Sequence, residues 1–184
     1  MPRTATHISS SNDQHSGGFS LLECMLALSI AGLLAVMSSS HILASLRHHQ
    51  LKGVLHQSYF LMQTARFEAI NQNRNVTVQV NQGNDWCVAL NDNGPCDCTV
   101  VGACRVDQIE HRISASEFPN VNLPEITMGD DNAVIFDGTR GIAMGNAGSS
   151  VFSNGDSEAK LIVSNLGRVR ICMQRGSMGA YQRC

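Results

Sequence analysis

Short motifs of the common catalytic sites are missing from this 184-residue chain. It contains no G-x-S-x-G turn for a nucleophilic serine, no H-E-x-x-H zinc motif and no phosphate-binding P-loop. An enzyme anchored to a membrane is therefore the weakest of the functional classes that we consider. We expect no catalytic residue, no cofactor and no metal site.

Aromatic residues and net charge are also scarce. Aromatic side chains make up 5% of the chain, whereas glycine occurs 16 times, which favours short strands and many turns over a large aromatic core. The formal net charge is -2, which argues against bulk electrostatic attraction to nucleic acid. Any such binding has to come from a local basic patch.

The cysteines divide into one plus six. Cys24 lies in an apolar segment near the N-terminus, where a thiol behaves as a small apolar group. An even set in a small exported domain predicts a disulfide framework, for which six cysteines allow 15 pairings. The candidates are Cys87, Cys96, Cys98, Cys104, Cys172 and Cys184.

Two interpretations of these cysteines differ in their chemistry. Zinc is the alternative for the group Cys96, Cys98 and Cys104, but their spacing does not form two C-x₂-C pairs. We predict a disulfide between Cys172 and Cys184, because they bracket a short basic tail. Such a bridge stabilises a fold by roughly 2–3 kcal/mol in the chain-entropy model.

An apolar run over residues 19–37 contains one acidic residue, Glu23. As a helix the run would measure about 28 Å, close to the ~30 Å hydrocarbon core of a bilayer. A carboxylate at the centre of such a helix costs about 2.5–3.5 kcal/mol, and less near an end. Glu23 is therefore a candidate functional residue.

Two plainer interpretations of the N-terminus stay open. A cleaved secretory signal is disfavoured, because the leader has only Arg3 as a firm positive charge and no A-x-A site follows the run. The second interpretation is a simple single-pass membrane anchor. Charge does not fix the orientation, since Arg47 and Lys52 lie beyond the run.

Beyond the run, the spacing of apolar residues changes from a helical to an extended pattern. A helix is predicted from about residue 19 to 71, with an apolar stripe of Leu43, Leu46, Val54, Leu55, Leu61, Met62, Ala65 and Ala69. Strands are predicted over 76–80, 86–90, 134–136, 142–147, 159–164 and 169–173, with residues 107–132 as a connection. The predicted fold is α+β, a long N-terminal helix packed on a mostly antiparallel sheet.

The C-terminal segment is basic. No acidic side chain follows Glu158, whereas Lys160, Arg168, Arg170, Arg175 and Arg183 do. Arg168 and Arg170 follow a predicted turn at Asn165–Gly167 and would lie about 6.6–6.8 Å apart on one strand face. Two guanidinium groups so placed suit neighbouring phosphates; the alternative is a solvated strand edge.

The segment GFSLLECMLALSIAGLLAVM resembles the class III signal of type IV pilins and type II secretion pseudopilins. The resemblance implies that prepilin peptidase cuts between Gly18 and Phe19 and methylates Phe19. Glu23 becomes the fifth residue of the mature chain, paired with the α-amino group of a neighbouring subunit. It also implies a leader over 1–18, a transmembrane assembly half over 19–40 and a globular domain over 41–184.

The sequences F-D-G-T-R-G at 136–141 and L-I-V-S-N-L-G-R-V-R-I-C at 161–172 are similar to the FimT/GspH branch of these proteins. In that branch a C-terminal G-R-x-R marks DNA-binding members. The resemblance implies the type IV pilin fold and a DNA-binding set of Gly167, Arg168 and Arg170, helped by Lys160, Arg175 and Arg183.

By the same resemblance, we expect an inner-membrane protein that enters an extracellular pilus and binds DNA, with low sequence specificity, for uptake in natural transformation. Its other partners would be pilin subunits and prepilin peptidase. The alternative is a structural minor pilin, or a GspH-like pseudopilin, that assembles a filament without a ligand.

Overall fold

The computed structural model describes residues 20–143, 145–179 and 181–184, with the backbone alone at residues 35, 37–41 and 130. The predicted cleavage and methylation residues, Gly18 and Phe19, lie outside the described residues. The chain divides into two compact units, of which the first ends at His41 and the second is Ile42–Cys184.

The first unit contributes the beginning of helix α1, Leu21–Gln72. Its apolar side chains from Leu21 to Leu34, and that of Val36, are largely exposed, and Glu23 is exposed among them. Across the residues that the structure describes, none of the helices combines the length and the apolar character needed to cross a membrane.

In the second unit, α1 buries one stripe of side chains. Fully or almost fully buried positions recur three or four residues apart, at Leu51, Val54, Leu55, Ser58, Met62, Ala65 and Ala69. The prediction was wrong for Leu43 and Leu46, which are 55% and 49% exposed, so the buried stripe of this unit begins at Leu51.

The helix ends in a Schellman motif. Asn73 adopts a left-handed conformation with φ 51°, and its N–H donates to the carbonyl of Ile70. The N–H of Arg74 donates to the carbonyl of Ala69, so the last carbonyls of the helix are satisfied and the chain turns into the first strand.

In the part of the chain that the structure describes, eight strands form two antiparallel sheets of four strands each. The first sheet has the order β3-β2-β1-β5 and the second has the order β4-β6-β7-β8. The strands are β1 Val76–Asn81, β2 Cys87–Asn91, β3 Arg112–Ser114, β4 Asn122–Thr127, β5 Ala133–Phe136, β6 Gly148–Ser153, β7 Glu158–Val163 and β8 Val169–Arg175. Short 3₁₀ turns lie at Ala115–Glu117 and Asp130–Asn132.

The α+β prediction is confirmed, with two corrections. The described residues of the strand predicted over 142–147, namely 142, 143 and 145–147, are not extended strand, because Gly141 and Gly145 take positive φ and the N–H of Asn146 closes a turn onto the carbonyl of Ala143. The connection predicted over 107–132 contains β3 and β4, so the strands divide between two sheets rather than one.

The core lies between α1 and the sheets and is organised around Trp86. The Trp86 ring is fully buried, stacks on Phe118 at 6.3 Å and meets Phe152 edge-on at 5.5 Å between ring centroids. Its Nε1–H donates to the carbonyl of Val121 at 2.7 Å, so its one polar group is satisfied.

Three disulfides stabilise the second unit. The predicted Cys172–Cys184 bridge is confirmed. Among the pairings left open for the other four cysteines, the structure contains Cys87–Cys98 and Cys96–Cys104. Cys24 carries a free thiol on the exposed part of α1.

Candidate nucleic-acid interface

The predicted turn between β7 and β8 presents the Gly-Arg-Val-Arg sequence. The N–H of Gly167 donates to the carbonyl of Ser164 at 2.8 Å, and the N–H of Ser164 donates to the carbonyl of Arg168 at 3.0 Å. Gly167 has φ +74°, a left-handed conformation that favours glycine. The turn is therefore tight, and Arg168 follows it directly into β8.

A second constraint on Gly167 comes from its neighbours. A Cβ atom on Gly167 would collide with the carbonyl oxygen of Gly141. The Nη1 group of Arg66, on α1, donates to the carbonyl of Gly167 at 3.4 Å. The β7–β8 turn is thus held by the loop that contains Gly141 and by helix α1.

That loop is the F-D-G-T-R-G segment. The Asp137 carboxylate accepts hydrogen bonds from the N–H groups of Thr139 and Arg140 at 3.1 and 2.9 Å. The N–H of Ala143 donates to the carbonyl of Asn165 at 2.9 Å, which joins the loop to the β7–β8 turn. The two sequence segments that carry the resemblance therefore support each other.

Arg168 and Arg170 are exposed on one face, while Val169 between them is 5% exposed and points into the core. In the register of the sheet, Arg170 is opposite Ile162 of β7. Both arginines line a groove of about 420 Å³, hereafter the arginine groove. Its other walls are Ile162, Ile171, Cys172, Tyr181, Gln182, Arg183 and Cys184.

Arg183 reaches the arginine groove because the C-terminal residues fold back along β8. The N–H of Met173 donates to the carbonyl of Gln182 at 2.8 Å, and the N–H of Cys184 donates to the carbonyl of Met173 at 3.1 Å. This short parallel pairing and the Cys172–Cys184 bridge fix Arg183 beside β8. Three guanidinium groups therefore line one concave surface.

The two remaining predicted helpers are placed differently. Lys160 is opposite Cys172 in the register and is half-exposed, but it does not line the groove. Arg175 donates to the Glu158 carboxylate at 3.1 Å and to the carbonyl of Gly155 at 2.8 Å. A register shift between Glu158 and Ala159 brings Arg175 opposite Glu158, so its charge is already compensated.

The three arginines of the groove differ from Arg175 in whether an acidic side chain compensates their charge. Among the described residues, ion pairs form at Arg47, Arg74 and Arg175, and none forms at Arg168, Arg170 or Arg183. Uncompensated guanidinium groups on a concave surface attract anions and offer bidentate hydrogen bonds to phosphate.

Two residues of this region carry no signal in the sequence. Arg66 occupies a polar position between the apolar residues of α1, yet it contacts Gly167, which lies 101 residues away in sequence. Tyr181 is an isolated aromatic residue near the C-terminus, and the structure places it as one wall of the arginine groove. Partial burial raises the pKa of the Tyr181 phenol from its ordinary value of 10.0.

Metal-binding side chains do not gather around the groove. Among the described residues, no three His, Cys, Asp or Glu side chains are arranged to hold an ion. The acidic pair Asp92 and Asp107 already binds the guanidinium group of Arg74 at 2.7 and 3.0 Å.

Comparison with known proteins places this architecture. The family model described as type II transport protein GspH matches residues 59–167, more than half of the chain. The prokaryotic N-terminal methylation motif matches residues 13–39. These matches define a minor type IV pilin or pseudopilin, a class of structural proteins. The chain belongs to the GspH family.

One solved structure is also similar. The type IV minor pilin FimU of Pseudomonas aeruginosa (strain PAO1) has 16% sequence identity and a TM-score of 0.45. The match covers 65% of this chain and 90% of the FimU chain. A search of curated proteins found no match.

Proposed function

We propose that this protein is a minor type IV pilin that binds extracellular DNA in its arginine groove and serves uptake during natural transformation. The observation that carries the proposal is the set Arg168, Arg170 and Arg183, which line one groove without an acidic partner in the described part of the chain. Gly167 belongs to the site as the residue that allows the tight turn.

The chemistry of the groove favours the DNA backbone over the bases. Guanidinium groups donate to phosphate oxygens, and such contacts position a strand without reading its sequence. Binding should therefore be weakly selective for sequence and strongly dependent on salt, because each neutralised phosphate releases condensed counterions.

The direct test is fluorescence anisotropy with labelled DNA and the full-length chain in a non-ionic detergent. Arg168→Ala combined with Arg170→Ala should weaken binding more than tenfold. The slope of log K against log salt should shrink by roughly 0.9 for each phosphate that the variant no longer neutralises. The matched control is Arg47→Ala combined with Arg175→Ala, which removes the same charge from arginines that already pair with Asp156 and Glu158.

The outcome of that comparison separates a site from a general charge effect. If both double variants weaken binding equally, net charge rather than the groove attracts DNA. If the folded Arg168 and Arg170 variant binds like the wild type, the proposal fails.

Assembly into a filament is the second part of the proposal. Prepilin peptidase would cut between Gly18 and Phe19, and the Glu23 carboxylate would pair with the terminal amine of a neighbouring subunit in the fibre. Mass spectrometry of the native protein should then show N-methylphenylalanine as its first residue. Glu23→Ala should prevent incorporation into the filament.

A purely structural role is the competing function, and the exposed apolar side chains of α1 between Leu21 and Leu46 favour it, since they suit helix packing in a fibre. A gene deletion distinguishes the two roles. Loss of piliation together with DNA uptake supports the structural role. Normal pili without uptake, restored by the wild type but not by the arginine double variant, support DNA capture.

A further inference from the structure

A second groove adjoins the arginine groove and shares one wall with it. It has a volume of about 410 Å³ and is lined by His48, His49, Lys52, His56, Met178, Gly179 and Tyr181. We call it the histidine groove. Tyr181 lines both grooves.

Helix geometry produces this surface. His49, Lys52 and His56 are spaced by three and four residues, so they share one face of α1. These three side chains are exposed, and the C-terminal residues Met178, Gly179 and Tyr181 lie beside them. The N–H of Tyr181 donates to the carbonyl of Met178 at 3.1 Å and closes the turn at this edge.

Tyr181 packs against the core, and its hydroxyl group contacts helix α1. Its oxygen lies 2.7 Å from Nε2 of His56, and the two ring centroids are 6.1 Å apart. The His56 ring is followed by Phe60 at 6.5 Å, and Phe60 is 63% exposed. A short row of flat rings therefore extends from the edge of the arginine groove along α1.

We propose that this row of rings binds unpaired bases, and that the protein prefers single-stranded to double-stranded DNA. The inference rests on the proposed function, because the phosphates have to be held in the arginine groove. Stacking on an aromatic ring needs a free base face, which a single strand offers and a paired duplex does not. Lys52, in the histidine groove, provides a further cation for the phosphate of a strand that continues along α1.

The low aromatic content of the sequence argues against base contacts, but the fold concentrates the rings that are present. It gathers Tyr181, His56 and Phe60, although 125 residues separate Tyr181 from His56 in sequence. The ring of His56 lies between those of Tyr181 and Phe60 and completes the row. The positions of Phe, Tyr and Trp in the sequence do not reveal this contribution.

The test uses the full-length chain in detergent and three probes of equal length, namely a labelled oligo-dT strand, the same strand with abasic sites, and a duplex. Tyr181→Ala should weaken binding of oligo-dT about tenfold, and should leave the abasic strand and the duplex within about twofold of the wild type. Tyr181→Phe keeps the ring and removes only the hydrogen bond to His56, so it should stay close to the wild type.

The arginine double variant separates the two proposals. If it loses affinity for all three probes while Tyr181→Ala does not discriminate between them, the proposed function stands and the stacking site is wrong. If the wild type binds none of the probes, both are wrong. Equal losses for all probes in Tyr181→Ala, or in Tyr181→Phe, would also overturn the stacking site, because the residue would then act only on the local fold.

Discussion

The carbonyl oxygen of Gly141 occupies the space that a side chain on Gly167 would need. The loop at 136–141 and the turn that carries Arg168 are therefore in direct backbone contact. A side chain at position 167 would have to accept a φ of +74° and displace the carbonyl group of Gly141.

Gly167→Ala should lower the free energy of unfolding by more than a positive φ alone explains. The matched control is Gly155→Ala, where φ is +89° and no atom lies within 4 Å of an added Cβ. The control should cost about 1–2 kcal/mol, and Gly167→Ala should cost clearly more because the clash adds to the strain. Urea unfolding measures both; equal losses would contradict the contact with Gly141.

Removal of the C-terminal disulfide should reduce both stability and DNA binding. Cys172→Ser combined with Cys184→Ser opens a loop with a sequence separation of 12, worth about 3 kcal/mol in the chain-entropy model. The same change removes the covalent constraint on Arg183 and leaves only the short pairing with Met173 to hold it beside β8. Urea unfolding and DNA anisotropy measure the two effects.

The control for that prediction is Cys96→Ser combined with Cys104→Ser, which opens a loop with a sequence separation of 8 and should cost about 2.5 kcal/mol. These cysteines lie outside the groove, so DNA affinity should stay within about twofold of the wild type. A parallel decrease of affinity in both variants would show that global stability, rather than the position of Arg183, controls binding.

Substitutions of Arg183 and of Arg175 should have different effects on DNA affinity, although both residues lie in the basic C-terminal segment. Arg183→Ala should weaken DNA binding about threefold to tenfold, because it removes an uncompensated charge from the groove. Arg175→Ala should change it less than about twofold, since Glu158 already neutralises that guanidinium group. Anisotropy at one fixed salt concentration is sufficient, and a reversed order would refute the assignment of the groove.

The phenol of Tyr181 should make stability fall in alkaline solution. Burial raises its pKa in the folded chain above 10.0, so the folded state resists deprotonation. Its contribution is fully present below pH 10.0 and is lost as the pH rises through the folded pKa. The stability of the wild type relative to Tyr181→Phe should decrease above pH 10.0, measured by urea unfolding from about pH 8 to about pH 11. If the difference in the free energy of unfolding between the wild type and Tyr181→Phe does not change with pH, this prediction is wrong.

Local patterns in the sequence predict most of the single elements. Val76, Val78 and Val80 alternate with polar residues and form β1, and the stripe from Val54 to Ala69 packs as expected. The strand predicted over 142–147 was wrong. Ile142 and Ala143 are apolar, as residues of a strand often are, but the positive φ of Gly141 and Gly145 prevents extended pairing. Apolar content alone does not reveal backbone conformation at glycine.

The geometry of the site is predictable from the sequence only where it depends on residues that are neighbours along the chain. The alternation of Arg168, Val169 and Arg170 is sufficient to place two guanidinium groups on one face. The contact of Arg66 with Gly167 and the pairing of Arg175 with Glu158 depend on tertiary packing and on a register shift, and neither leaves a signal in sequence spacing.

The excursion between β2 and β3 is closed by two bridges that overlap in sequence, Cys87–Cys98 and Cys96–Cys104. Val100 and Val101 at its tip are exposed and take no part in either sheet. The bridges join residues on either side of the tip, so substitutions of the Val100 and Val101 side chains should change the free energy of unfolding little. We therefore expect this tip to tolerate an attached label or epitope better than the paired strands do.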